Sequence, residues 1–187
     1  MSQRREVDRR RIEQFLTALG SRFKRAGRVY LVGGTTLVWE GLRVQTIDID
    51  LTYDVLSEDA GAFAQVIQVL KRELDINVEE ASPGDFVPLP AGYRERSPFI
   101  GRYGLLDVFH FDLYSTALSK IERGREEDLS DVLILLKDGR IDMDQLVAYF
   151  EEILPRIETH SLKGDPDEFG RKFASLQRLW QESGGQT

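Results

Sequence analysis

Apolar positions fall into two rhythms along this chain. Ile12, Phe15, Leu16, Leu19 and Phe23 recur at the spacing of one helix face, predicting a helix over about residues 5–25 that Gly27 ends. Val29-Tyr30-Leu31-Val32 reads as a short buried strand stopped by Gly33-Gly34, with Thr35 and Thr36 capping a short helix through Trp39. Ile47 to Val55 is the next strand, and Phe63, Val66, Ile67 and Leu70 are the inner side of a helix over residues 58–73. Ile76-Asn77-Val78-Glu79 alternates like a half-exposed strand. Four of the six prolines fall within residues 82–101, which predicts a long loop with short strands at Phe86-Val87 and Tyr93-Arg94. Leu105–Phe111 is a further strand. Helices follow at about 113–123, 126–137, 143–154 and 167–181, capped by Asp142 or Asp144 and by Asp165 or Asp167. Leu129, Val132, Leu133 and Leu136 are expected as the core stripe of the second of these, and the terminal Gly184-Gly185-Gln186-Thr187 is expected to fray.

The order predicts an α/β (α+β) fold: a small mixed-sheet core with its N-terminal helix over residues 1–112, and a helical C-terminal part over 113–187 packed on it. With no cysteine there are no disulfides or thiolate metal sites. The N-terminus carries no apolar leader and no apolar run approaches a membrane span, so the expected setting is cytoplasmic, away from membranes. Net charge is −7, which argues against nonspecific binding along nucleic acid. The charge is uneven, however. Arg4, Arg5, Arg9, Arg10, Arg11, Arg22, Lys24, Arg25 and Arg28 outnumber Glu6, Asp8 and Glu13, leaving +6 over residues 1–28 and −13 beyond. This is either a solvated helix surface or a patch facing the phosphates of an RNA or a partner.

The chemistry concentrates between residues 32 and 51. Asp48 and Asp50, one residue apart on a strand, point to one face while Ile49 and Leu51 point to the other. Two neighbouring carboxylates repel unless protonated or bridged by cations, and hard cations such as Mg²⁺ prefer oxygen ligands. Gly33-Gly34, after a strand and before a helix, lets backbone N–H groups approach an anion. Together they read as a phosphate cradle beside a metal-binding pair. His110 and His160 lack metal-binding spacing, His110 reading as structural, and no nucleophile elbow or Walker loop is present. Trp39 and Trp180 lie in helical stripes and read as core.

Gly-Gly followed about a dozen residues later by Asp-x-Asp resembles the signature of the polymerase-β-like nucleotidyltransferase superfamily. The stretch from Asp112 through Lys120, Arg123, Asp128 and Asp131 is similar to the Lys…Arg…Asp-x-x-Asp segment of two related groups. One is the nucleotidyltransferase-like toxins of abortive-infection (type IV) toxin–antitoxin systems; the other is a neighbouring bacterial and archaeal family of uncharacterised nucleotidyltransferases. The resemblance covers about residues 28–155 and leans to the second group, because the chain is shorter than the typical toxin.

That resemblance implies Mg²⁺ (or Mn²⁺) on Asp48, Asp50 and a third carboxylate. Asp107 is the candidate, with Asp112 the alternative on the opposite face. Gly33, Gly34 and Thr35 would contact the triphosphate, and Lys120, with Arg123, a phosphate or the developing charge. Asp128 and Asp131 would complete the site, both reaching a cleft or water. The other reading of Lys120 is a surface lysine paired with Asp128 or Glu127. Gly34 stands where many nucleotidyltransferases carry serine. The implied function is transfer of NMP from an NTP to an RNA (tRNA-like) or protein acceptor, as a toxin-like component with an antitoxin partner. The alternatives are a non-catalytic nucleotide-binding module and an RNA-binding protein acting through the basic N-terminal helix.

Overall fold

The computed structural model describes residues 6–160 and 164–185. The expectations placed on residue 5 as a helix start, on Arg4 and Arg5, and on Gln186 and Thr187 lie outside the described residues. The chain divides into two compact units. One holds the described residues up to Ser82 together with Ser97–Phe111; the other holds Pro83–Arg96 and the described residues from Asp112 onward.

The first unit runs α1 (Arg9–Arg22), β1 (Gly27–Leu31), α2 (Gly33–Trp39), β2 (Asp48–Val55), α3 (Ala60–Glu73), β3 (Asn77–Glu80), β4 (Phe99–Tyr103) and β5 (Leu106–His110). Helix α1 starts where the Asp8 carboxylate accepts the Arg11 N–H at 2.9 Å, the usual role of an aspartate before a first turn. It stops at Phe23, short of Gly27, which instead opens β1. The sheet order is β3-β2-β1-β5-β4. Strands β1 and β2 are antiparallel, β1 and β5 parallel, β2 and β3 parallel, and β4 and β5 antiparallel, so the sheet is mixed as expected.

Register decides which side chains share a face. Leu31 sits opposite Leu51 on one side and His110 on the other. Val29, Leu31, Ile49, Leu51 and Val108 therefore enter one core with Ile12, Phe15, Leu16 and Leu19 of α1 and Phe63, Ile67 and Leu70 of α3. By the same alternation, Asp48, Asp50, Tyr30, Asp107 and Phe109 lie on the opposite face.

The predicted loop over 82–101 is partly wrong. Neither Phe86-Val87 nor Tyr93-Arg94 forms a strand; a single 3-10 turn occupies Pro83–Asp85, and the strand falls later, at β4. Its sequence, Phe-Ile-Gly-Arg-Tyr after Pro98, carries an interior glycine and a preceding proline, both signals against a strand. Pairing with β5 at the sheet edge overrides them.

The second unit holds α4 (Leu113–Arg123), α5 (Glu126–Lys137), α6 (Met143–Ile153), α7 (Ile157–His160) and α8 (Pro166–Glu182). Gly124, at φ +67°, ends α4 in the left-handed conformation that glycine tolerates. Of the offered caps, Asp142 accepts the Gln145 N–H and Asp165 those of Asp167 and Glu168. Residues 83–96 are tied into this unit: Arg96 pairs with Asp112, Ala91 N–H donates to Glu152, and Arg156 donates to the Leu89 carbonyl. Trp39 is core, whereas Trp180 is only half-buried. Among the described residues no helix is long and apolar enough to cross a membrane.

In the first unit α1 meets the β4–β5 turn backbone to backbone. A Cβ on Gly20 would lie 2.3 Å from the Tyr103 carbonyl oxygen. Gly20→Ala is therefore expected to cost at least about 2 kcal/mol, because main chain rather than a flexible side-chain end must move. Gly61, exposed on α3 with open space around it, should accept alanine with no loss or a gain of roughly 0.5–1 kcal/mol. Urea denaturation of the two variants checks this; equal midpoints would contradict the packing account.

Candidate functional site

Strand β1 delivers the chain to Val32, whose N–H donates to the Asp50 carbonyl at 3.0 Å, and Gly33 then turns with φ +58° into α2. The two glycines are there for different reasons. Gly33 adopts a backbone conformation unfavourable to other L-residues, and a Cβ there would sit 3.4 Å from Asp50 Oδ2. Gly34 leaves the space in which Thr46 Oγ1 and Arg43 Nη1 lie, 2.9 and 3.2 Å from where its Cβ would be. Where a serine would bring its own hydroxyl, this chain brings the Thr46 hydroxyl and the Arg43 guanidinium.

Thr35, fully buried, is placed differently from the expectation of a phosphate contact. Its Oγ1 accepts the Asp50 N–H at 2.8 Å and lies 3.4 Å from the Asp48 carbonyl, so the hydroxyl ties α2 to the backbone of β2. Thr36 donates to the Leu31 carbonyl at 3.0 Å and meets His110 Nδ1 at 3.2 Å, while His110 Nε2 lies 2.7 Å from Glu40. His110 is thus a buried structural histidine. Asp48 and Asp50 themselves are half-buried and share a face, about 6–7 Å apart along the strand.

The third expected ligand is not brought to this pair. Asp107 sits opposite Arg28, and Arg28 opposite Asp54. It is therefore four residues, about 13 Å, along the sheet from the Asp50 row, farther than an aspartate side chain reaches. Arg102 holds both its oxygens, at 2.7 and 3.2 Å, and that hydrogen bonding keeps its carboxyl below the usual carboxylate range. In line with Asp50 the next two strands offer Val32 and Phe111. Asp112, the alternative, accepts from Arg96 and caps α4 through Ser115. Among the described residues no three His, Asp or Glu side chains form a ready metal cluster. An open cleft of about 950 Å³, bordered by Arg25, Arg28, Asp54, Asp59, Arg102 and Asp107, lies at the far end of the sheet. Much of its charge is internally matched, Arg25 with Asp59 and Arg102 with Asp107.

The downstream segment forms a cluster of its own in the second unit. Lys120, 4% exposed, donates to Asp128 Oδ1 at 3.1 Å and to Asp131 Oδ2 at 2.7 Å, and Arg123 grips both oxygens of Asp128. Lys120 is therefore neither a free cation nor the surface lysine of the other reading. Asp128 and Asp131 are buried instead of reaching water, because α5 is rotated from the expected stripe: its buried positions are Asp128, Asp131, Val132, Leu135 and Leu136. The two carboxylates take inward positions because two cations on α4 meet them there.

Asn77, Glu79, Arg43 and Thr46 were not singled out in the sequence. Asp48 faces Asn77 and Asp50 faces Glu79 across the parallel β2–β3 pair. Alternation in Ile76–Glu79 signalled a strand, but nothing in it signalled the neighbour.

Oxygen donors on one face, beside a glycine whose missing Cβ leaves room at Asp50, suit a hard divalent cation such as Mg²⁺ or Mn²⁺. Comparison with protein families matches residues 10–163 to one described as "Nucleotidyltransferase of unknown function (DUF6036)". The chain belongs to this nucleotidyltransferase family. The chain matches no curated protein and no solved structure. The family match spans both units, so the Lys120 cluster belongs to the family segment as fully as the Asp48–Asp50 strand does.

Lys120→Met would remove the cation shared by two buried carboxylates, leaving Arg123 on Asp128. Removing one partner from a buried ion cluster costs about 3–5 kcal/mol. The variant is expected to lose that much in chemical denaturation; unchanged stability would return Lys120 to the role of a mobile phosphate-binding cation.

Proposed function

We propose that this nucleotidyltransferase-family protein transfers a nucleoside monophosphate from an NTP to a hydroxyl of an RNA (tRNA-like) or protein acceptor, using Mg²⁺ or Mn²⁺ held by Asp48 and Asp50. The observation that carries the reading is the pairing of those two carboxylates with the left-handed Gly33 turn. When bound, the cation would neutralise phosphate charge and lower the pKa of the attacking hydroxyl. Asp48 and Asp50 fix where that positive charge stands, and the missing Cβ of Gly33 leaves space for a phosphate beside Asp50. Arg43, next to Gly34, replaces Lys120 as the side-chain cation we assign to the triphosphate. In the transfer, the acceptor oxygen bonds to the α-phosphorus and the bond from that phosphorus to the bridging oxygen breaks. Pyrophosphate leaves, and the hydroxyl proton passes to water. The resemblance of residues 112–132 to abortive-infection toxins adds a toxin-like role restrained by an antitoxin protein.

A second reading, a nucleotide-binding module without turnover, is favoured by one observation: the signature lysine is buried between Asp128 and Asp131. Purified protein incubated with each labelled NTP, Mg²⁺ and total tRNA, or no added acceptor, separates the two. Label on RNA or on the protein is expected. It should fall at least about 100-fold in Asp48→Asn with Asp50→Asn, with circular dichroism unchanged, as two carboxamides preserve shape. Full transfer by the double variant would sink the reading, and saturable Mg²⁺–NTP binding with no label on any acceptor would support the module.

A further inference from the structure

The loop that joins α2 to β2 carries Arg43 and Thr46 to Gly34, and a segment ahead of α1 holds it there. Val7 and Thr46 form an isolated antiparallel bridge. The Val7 N–H donates to the Thr46 carbonyl at 2.7 Å, and the Thr46 N–H to the Val7 carbonyl at 2.9 Å. Residues that exchange both bonds are a hydrogen-bonded pair, so the Thr46 backbone is fixed at both its polar groups. Earlier in the loop, the N–H groups of Leu42 and Arg43 share the Leu37 carbonyl, at 2.9 and 3.2 Å. Between Arg43 and Ile47, no other backbone–backbone hydrogen bond is made among the described residues. Val44 is 83% and Ile47 58% exposed, so apolar packing does little to hold these positions.

The segment that supplies Val7 is itself anchored. Val7 is fully buried in the core, and its β-branched side chain favours the extended backbone that a bridge needs. Asp8 is extended, with φ −89° and ψ 176°, and caps α1. Arg9 lies over the ring of Trp39, the last residue of α2, at 5.1 Å. Residues 7–9 thus engage the loop, α1 and α2 in succession.

On the nucleotide-binding reading above, we propose that Val7 is a positioning residue for that site. By bridging Thr46 it holds the Thr46 hydroxyl and the Arg43 guanidinium beside Gly34, where the triphosphate is received. A loop ordered in advance presents its donors without giving up freedom when the ligand arrives. Released from Val7, the same loop is ordered only as nucleotide binds, and that entropy is subtracted from the affinity. Such coupling is reciprocal: whatever the bridge adds to nucleotide binding, bound nucleotide adds to the bridge.

Two measurements on the full chain test the assignment: affinity for a non-hydrolysable NTP analogue with Mg²⁺, and amide hydrogen exchange at Val7 and Thr46. Val7→Pro removes the N–H given to Thr46 and is expected to weaken analogue binding about 10-fold. In a chain already carrying Arg43→Ala and Thr46→Ala, adding Val7→Pro should change affinity by less than about twofold, because the bridge acts through those side chains. An equal loss in both backgrounds marks Val7 as merely structural and overturns the proposal. If Val7→Pro does not fold, the wild type carries the test. Saturating analogue is expected to slow exchange of the Val7 and Thr46 amides about 10-fold. Analogue binding with unchanged exchange at both amides overturns the positioning role and leaves the nucleotide-binding reading standing. No analogue binding by the wild type overturns both.

Discussion

One buried hydroxyl sets the geometry on which the candidate site depends. Thr35 Oγ1 accepts the Asp50 N–H and reaches the Asp48 carbonyl, fastening the first turn of α2 to the start of β2. Threonine suits the position because its hydroxyl both donates and accepts. The consequence is that the Gly33 turn and the Asp50 carboxylate cannot drift apart. Sheet register does the rest. A one-residue slip of β2 would send Asp48 and Asp50 into the core and Ile49 and Leu51 to the face, so burial of Ile49 and Leu51 enforces the exposure of the acids.

Charge is used differently in the two units. In the helical unit Lys120, Arg123, Asp128 and Asp131 form a compact, mutually compensated set, with Lys120 and both carboxylates buried. Such a set gains little over apolar packing but is costly to break, so it specifies how α4 and α5 pair. In the sheet unit Asp48, Asp50 and Glu79 share a face, and asparagine bridges Asp48 to Glu79 while leaving their charge in place. The first arrangement stabilises a fold; the second suits an external cation.

The helices and the central strands were legible because each carries its own periodicity and caps: α4 and α5 fall at the expected residues, with Asp142 and Asp165 resolving two open choices. The shared face of Asp48 and Asp50 was legible too, since alternation alone dictates it. What failed depended on partners distant in sequence. Asp107 looked suitable by parity, but parity says nothing about the row in which a residue stands, and only the pairing of β1 with β5 places it beyond reach. Lys120 was read from a motif whose spacing serves catalysis and helix pairing equally well. Glu79 and Asn77 were hidden because their meaning comes from parallel pairing across the whole of α3.

The basic start of the chain changes meaning in the same way. Arg11 donates to the carbonyls of Leu74 and Asp75, Arg22 pairs with Glu73, Arg25 with Asp59, and Arg9 lies over the Trp39 ring. Much of that positive charge holds the first unit together; among the described residues Arg10 and Lys24 are its exposed remainder. On the proposed function, an NTP approaching Asp48 and Asp50 on a chain of net charge −7 would bring its phosphates against carboxylates of like sign. A cation shared between phosphate oxygens and these carboxylates would reverse that sign. In that reading nucleotide and metal would therefore bind as one coupled unit, and a weakened carboxylate pair would register as lost nucleotide affinity as much as lost metal.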